Sequence, residues 1–324
     1  MREISFSEAT LEAMSEEMER DSSVFVLGED IARQGGIFGQ FKGLPQKFGT
    51  ERVLDTPISE TAIVGAAVGA ALAGMRPVAD MHFADFIGVC MDEVFNQMAK
   101  VRFMFGGQCK VPMVLRAPDG IIRSAAAQHS QSVEAWFMHI PGVKVVIPSN
   151  PADAKGLLKA AIRSDDPVLY FEHKVLFPMK GPVPEGDHVV PIGKANVSRK
   201  GKDVTIVSYS LMMHRALEAA EKLAAEGIQA EVIDLRTISP IDKETIFDSV
   251  RKTKRLVIVH EAVKQGGVGA EISALVAEEM IDWLDAPIRR IGAPFVPVPF
   301  SPPLEQLVKI SADHITKTVK EICR

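Results

Sequence analysis

Short, unbroken apolar runs recur through the first half of this 324-residue chain: "SVFVLGED", "RPVADMHF", "VPMVLRAP", "VKVVIPS" and "DPVLYFEH". Helix-like stretches lie between and around them, at about 5–20, 60–75, 86–105, 131–139 and 151–164. A strand with one wet face alternates apolar and polar residues, whereas a continuously apolar strand is covered on both faces. Strands of this kind joined by helical crossovers leave few options beyond a parallel sheet with helices on both sides. The pattern breaks at "FPMKGPVPEGDHVVPIG", residues 177–193, where Pro and Gly replace any helical period, and this stretch reads as a linker. It then restarts with "DVTIVSYS", "QAEVIDLRT", "RLVIVHEA" and "PIRRIGAP", separated by helical runs at 212–226, 241–252 and 267–283. The expectation is two α/β domains in series, the second a doubly wound one of ordinary domain size. Their expected extents are 1–180, a linker at 181–195, and 196–324.

Composition narrows the partners. Hydrophobic residues make up 47% and charged residues 24%, enough for full globular cores. A net charge of −5 with scattered basic residues argues against nucleic acid or an anionic membrane surface. No uncharged run reaches the roughly 20 apolar residues a bilayer span needs. Cys90, Cys109 and Cys323 are odd in number and lack metal-ligand spacing, which reads as free thiols in a reducing compartment. The acidic, amphipathic start "MREISFSEATLEAMSEEMERD" is unlike a targeting peptide, so a cytoplasmic location is expected.

One stretch stands apart. In "DTPISETAIVGAAVGAALAGM", residues 55–75, Glu60 heads a helix-length run of Gly, Ala and Val with no ionisable group. Ser59 suits an N-cap, and an acid in the first turn favours the positive end of the helix dipole. That alone would explain Glu60. The glycines argue for more: Gly65, Gly69 and Gly74 each cost up to about 1 kcal/mol against Ala in a helix interior, and close packing against another backbone is what would offset them. A carboxylate at the mouth of such an interface would be partly desolvated and a strong acceptor. Spacing leaves both readings open.

Longer motifs carry a resemblance. "VFVLGEDIARQGGIFGQFKGLPQKFGTERVLDTPISETAIVGAAVGAALAGMRPVADMHFADF", "AAAQHSQSVEAWFMHIPGVKVVIPSNPADAKGLLKAAIRSDDPVLYFEHK" and "VIDLRTISPIDKETIFDSVRKTKRLVIVHEAVKQGGVGAEI" resemble the β subunits of thiamine-diphosphate-dependent 2-oxo acid dehydrogenases, over nearly the whole chain. Within that family "AAAQHSQSVEAWFMHIPG" and "YFEHK" look most like the acetoin dehydrogenase branch, with pyruvate dehydrogenase next. The resemblance implies a transketolase-like pyrimidine-binding domain followed by a transketolase C-terminal-like domain. It also implies a chemical role for Glu60, since the glutamate of the "DTPISE" motif bonds N1′ of the cofactor's aminopyrimidine and stabilises its imino tautomer.

Phe86, a residue composition would call a core aromatic, matches the family aromatic that packs on that ring. Val89 falls where some pyruvate-using relatives carry Gln, which implies a more apolar pocket wall. His129, between a small-residue loop and a helix, matches the family histidine that donates a proton during acyl transfer, with Gln128, Ser130 and Gln131 placed to orient it. His82 lies near the pocket stretch and receives no role. The loop "RAPDGIIRSAAAQHS" departs from its Gly-richer relatives at Ile121, Ile122 and Arg123. Some members hold a structural K⁺ through backbone carbonyls; Met113, Ala161 and Ile162 match those positions, while Ser164 and Asp166 depart from the human-type pattern. "HEAVKQGGVGAEI" lacks the full dinucleotide fingerprint, and its glycines suit a helix cap near a subunit interface.

No Gly-Asp-Gly motif occurs, so the resemblance implies half of a site. An α subunit would bring the diphosphate and Mg²⁺ end of thiamine diphosphate in an α₂β₂ heterotetramer, and this chain would be inactive alone. The implied reaction cleaves acetoin, or decarboxylates pyruvate or a branched-chain 2-oxo acid, and passes the acyl unit to the lipoyl domain of a dihydrolipoyl acyltransferase core. Two rivals remain: a split transketolase-like carboligase, and a non-catalytic scaffold subunit.

Overall fold

The computed structural model describes residues 1–323, which divide into two compact units. The first comprises Met1–Asp119 and Trp136–Ile192; the second comprises Gly120–Ala135 and the chain from Gly193 onward.

Six strands of the first unit run parallel in the order Lys144–Val146, Val168–His173, Val114–Asp119, Arg76–Asp80, Val24–Gly28 and Val53–Asp55. The Val24–Gly28, Val114–Asp119 and Val168–His173 strands are buried along their whole length, as continuous apolar strands between two helical layers must be. Ser5 and Glu8 form a reciprocal capping box that starts the Phe6–Arg20 helix. That helix lies against the Pro151–Arg163 helix, joined by ion pairs of Lys159 with Glu16 and Arg163 with Glu17, and both cations also pair with Asp187 in a later loop.

Local chemistry explains where this unit departs from its sequence pattern. The stretch read as one helix at 86–105 is a 3₁₀ turn over Ala84–Cys90, a π-helical turn over Glu93–Met98 and a short α-helix over Val101–Met104. Gly88 lies within the first segment, and π turns of this kind frequently mark functional sites. The expected 131–139 helix is reduced to Glu134–Met138. Inside the stretch read as a linker, Lys180–Val183 forms a strand, paired antiparallel with Arg2–Ser5. The Glu60–Leu72 helix ends before Gly74, which has φ +94° and closes the helix in the left-handed conformation. Only Gly65 and Gly69 therefore carry an interior penalty, about 1 kcal/mol each.

The second unit is a five-stranded sheet in the order Arg289–Ala293, Leu256–Val263, Val204–Ser208, Ala230–Asp234 and Asn196–Arg199. All are parallel except the last, which pairs antiparallel at one edge. Its helices Leu211–Ala225, Lys243–Thr253, Val268–Met280 and Ala312–Ile322 are amphipathic, and residues such as Ala216, Leu223, Ile315 and Val319 fill the core. Ser239–Pro240 is a cis peptide.

Candidate active site

Parallel α/β sheets offer ligands the crevice beyond the carboxyl ends of their strands. In the first unit three adjacent strands end there together. Val24–Gly28 runs into Glu29, Val53–Asp55 into the 56–59 turn and Glu60, and Arg76–Asp80 into His82 and the Ala84–Cys90 turn. The 30–33 stretch and the second of these strands are tied together: the Asp55 carboxylate accepts the Ala32 N–H at 2.7 Å and the Arg33 N–H at 3.2 Å. Thr56 N–H donates to Gly28 O at 2.9 Å, which fixes where the turn leaves the sheet.

Glu60 is half-buried in the first turn of its helix. Ser59 sits at the N-cap, but its side chain makes no capping bond, so Glu60 supplies the anionic group at that helix end. Thr61 Oγ1 donates to Val89 O at 3.3 Å and joins the helix start to the turn that carries Phe86 and Val89. Phe86 is half-buried and meets the Phe83 ring edge-on, with centroids 5.6 Å apart. Val89 is 63% exposed, so in this chain it lines an open wall.

The charge around Glu60 reaches its neighbours. Glu29 is buried beside the mouth; burial pushes its carboxyl above the usual range, the His82 imidazole opposes this, and the negative charge of Glu60 adds to it. His82 stands 3.0 Å from the Glu29 carbonyl through Nε2, and its Nδ1 lies 3.4 Å from the Glu29 carboxylate. Burial, then Glu93, then Glu60 push the Cys90 thiol up to about 12, so it is an inert core group.

Directly beneath lies a network that no sequence motif singled out. Asp80, Arg116 and Glu172 come from three neighbouring strands and are fully buried. Arg116 Nη1 donates to Asp80 Oδ1 at 3.0 Å, pairs also with Glu172, and stacks over Phe41 at 4.9 Å. One guanidinium serves two carboxylates. Burial pushes the Asp80 carboxyl up to about 7, against the pull of Arg116, and raises Glu172 as well. The signal was available: "VLRAP" and "YFEH" each place one charged letter inside an apolar strand, and such letters need each other.

Glu60, Phe86 and Val89 thus stand together in the first unit. His129 is half-buried on Gly120–Ala135, a segment that belongs with the second unit. The three carbonyls matched to a potassium site face separate donors. Met113 O accepts Val168 N–H at 3.0 Å, Ala161 O accepts Ser164 N–H at 3.1 Å, and Ile162 O accepts Arg76 Nη1 at 3.0 Å. Arg76 also donates to Ser164 O at 3.1 Å and to Asp165 at 2.7 Å. Arg76 thus brings a positive charge to the end of the Pro151–Arg163 helix and the loop that follows it. For thiamine diphosphate the observed groups fit: a half-buried carboxylate at a helix start, an aromatic face on the turn joined to that helix, and a buried Thr56 hydroxyl without a hydrogen-bond partner among the described residues.

Residues 2–180 match the transketolase pyrimidine binding domain family, and residues 193–315 match the transketolase C-terminal domain family. The chain is 52% identical to the acetoin:2,6-dichlorophenolindophenol oxidoreductase subunit beta of Cupriavidus necator, over 99% of this chain and 97% of that one. It is 48% identical to the 2-oxoisovalerate dehydrogenase subunit beta of Bacillus subtilis, over 99% of each chain. A solved structure of a split-gene transketolase, described as an inactive β₄ tetramer, superposes with a TM-score of 0.82 at 26% identity, over 99% of this chain and 98% of that one.

Proposed function

The chain belongs to the family of β subunits of thiamine-diphosphate-dependent acetoin and 2-oxo acid dehydrogenases, and from that membership we propose that it is the β subunit of an acetoin dehydrogenase complex. The observation that carries the proposal is Glu60: a half-buried carboxylate at a strand-to-helix turn, hydrogen-bonded through its neighbour Thr61 to the turn bearing Phe86 and Val89. Relatives named for acetoin at 52% and 49% identity support the substrate.

In this reading Glu60 holds the hydrogen bond to the aminopyrimidine N1′, and a carboxyl half out of water is a stronger partner for that weak base than a solvated one. Phe86 packs on the ring and Val89 forms an apolar wall. When bound, thiamine diphosphate supplies the nucleophilic carbon that attacks the substrate carbonyl. His129 donates the proton that accompanies acyl transfer to a lipoyl group. An α subunit contributes the diphosphate and Mg²⁺ end in an α₂β₂ assembly, and a dihydrolipoyl acyltransferase core receives the acyl unit. The exposed small face of the Glu60–Leu72 helix, with Ala62, Ala66 and Gly69 outward, suits a closely packed subunit contact. No helix among the described residues is long and apolar enough to cross a membrane, and we place the complex in the cytoplasm.

The test is reconstitution with the α subunit and turnover of acetoin, pyruvate and branched-chain 2-oxo acids with an artificial electron acceptor. Acetoin is expected to be the best substrate. Glu60→Ala is expected to lower turnover by at least about a hundredfold while the assembly still forms, since general acid–base groups contribute roughly 10²–10⁴-fold. Turnover near wild type in the assembled variant would remove Glu60 from the mechanism and favour a scaffold.

A further inference from the structure

The second unit holds the segment that carries His129 by side chains far away in sequence. Gly120 N–H donates to Gln131 O at 3.1 Å and closes residues 120–131 into a compact loop. Two carboxylates of the C-terminal part of the chain reach its ascending limb. Glu261, on the Leu256–Val263 strand, accepts the Ile121 N–H at 2.8 Å, and Ser132 Oγ lies 3.5 Å from the same oxygen. Glu305, on the Pro302–Val308 helix, is 1% exposed and accepts the Ser124 N–H at 2.7 Å while pairing with Lys309. Beyond the loop, Tyr209 donates to the buried Glu134 at 2.6 Å.

The backbone explains why such holding is needed. Ser124 has φ +55° and Ala126 φ +61°, conformations that L side chains adopt at a cost. Strain of this kind persists only where the surroundings impose it. The Ser124 amide, at a strained residue, is the one Glu305 engages, and a carboxylate acceptor makes a stronger bond than a neutral one.

We propose that Glu305 and Glu261 are positioning residues that clamp the 120–126 limb and thereby set where His129 stands for acyl transfer to the lipoyl group; the part concerning His129 rests on the function proposed above. Both act through the backbone amides of the limb. Because a 1 Å misplacement of a reacting group costs about a hundredfold, a loosened limb should tell on the step that uses His129 and spare the steps that do not.

The test uses the assembled α–β enzyme. Hydrogen exchange of the peptide covering residues 120–126 should be at least about tenfold faster in Glu305→Ala than in wild type, with Glu305→Gln between them because its amide oxygen can still accept the Ser124 N–H. Reductive acylation of a lipoyl domain should fall by about tenfold or more in kcat, in the same order, while turnover with an artificial electron acceptor stays within about twofold. Unchanged exchange in Glu305→Ala overturns the clamp. Equal loss of both activities also overturns the positioning role, because it is what general destabilisation would do. If the wild-type assembly fails to acylate a lipoyl domain, the functional reading falls, and the clamp is then decided by exchange alone.

Discussion

The two units are built alike, as parallel sheets between helices, yet they fill their central strands with different chemistry. The first buries Asp80, Arg116 and Glu172 across neighbouring strands. The second pairs its buried carboxylates Glu231 and Glu305 with lysines at the rim, and its central Val204–Ser208 strand satisfies buried polar groups with neutral partners: Thr205 shares hydroxyl bonds of 2.6 Å with Ser249 and Thr253, and Ser208 donates to Val259 O at 2.9 Å. Its buried imidazole, His260, bonds the Ala262 carbonyl, and burial lowers its pKa to about 4, so it stays neutral. A buried ion pair is a poor way to gain stability, since desolvation offsets most of the attraction. What the first unit gains is position: the guanidinium ties the Arg76–Asp80 strand, which leads into His82, to the two strands beside it. The central Val204–Ser208 strand of the second unit carries no such cation, and hydroxyls suffice there.

The contrast predicts unequal costs. Arg116→Met leaves two carboxyl groups buried without their cation and should destabilise the protein by about 3–5 kcal/mol, the range for breaking a buried pair. Thr205→Val, which removes a shared neutral hydroxyl of similar shape, should cost about 1 kcal/mol. Urea unfolding of both variants checks this, and comparable losses would dissolve the distinction between the two cores.

The units should also respond to pH with opposite sign. The Asp80 carboxyl, raised from 3.8 to about 7 by burial, binds its proton more tightly folded than unfolded. Its stabilising share is present below about pH 4 and is lost as pH rises through 7, by at most about 4 kcal/mol at 1.36 kcal/mol per unit. His260, lowered from 6.5 to about 4, does the reverse: its share is present above 6.5 and is lost as pH falls through 4, by at most about 3 kcal/mol. Asp80→Asn should flatten the loss on the alkaline side, and His260→Gln the loss on the acid side. Unfolding free energies between pH 4 and 8 decide it; a variant whose slope matches wild type would exclude that residue as the titrating group.

Much of this architecture was legible, for a physical reason. Strands buried on both faces have to be apolar throughout, so both sheets announced themselves as runs such as "VTIVS" and "VLYFEH". That Glu60 and Phe86 follow strand ends was legible because each lies just after an apolar run. What depends on distant partners was not. The Lys180–Val183 strand exists because Arg2–Ser5 lies beside it, and nothing in a Pro- and Gly-rich stretch foretells that pairing. Asp80, Arg116 and Glu172 become a network only once strand order places them side by side. The holding of the 120–131 loop by Glu261 and Glu305 spans more than a hundred residues of chain. The hold of Arg76 on the Ile162 and Ser164 carbonyls is equally hidden, because its partners lie more than eighty residues away.

Two helix glycines, one in each unit, sit in opposite surroundings. A Cβ at Gly269, in the second unit's Val268–Met280 helix, would meet His260 Nε2 at 3.0 Å, and here the demand for glycine comes from within the chain. A Cβ at Gly69, in the Glu60–Leu72 helix, would meet nothing within 4 Å. Gly269→Ala should therefore destabilise the isolated chain, while Gly69→Ala should stabilise it by about 0.5–1 kcal/mol through helix propensity. If the bare face of the Glu60–Leu72 helix packs against another subunit, the same Gly69→Ala change should weaken assembly, because the added methyl group occupies the space a neighbouring backbone needs. Thermal unfolding of the β chain and sedimentation of its mixture with the α subunit separate the two effects. A Gly69→Ala protein that is more stable and assembles as tightly as wild type would show that the bare face is not where the subunits meet.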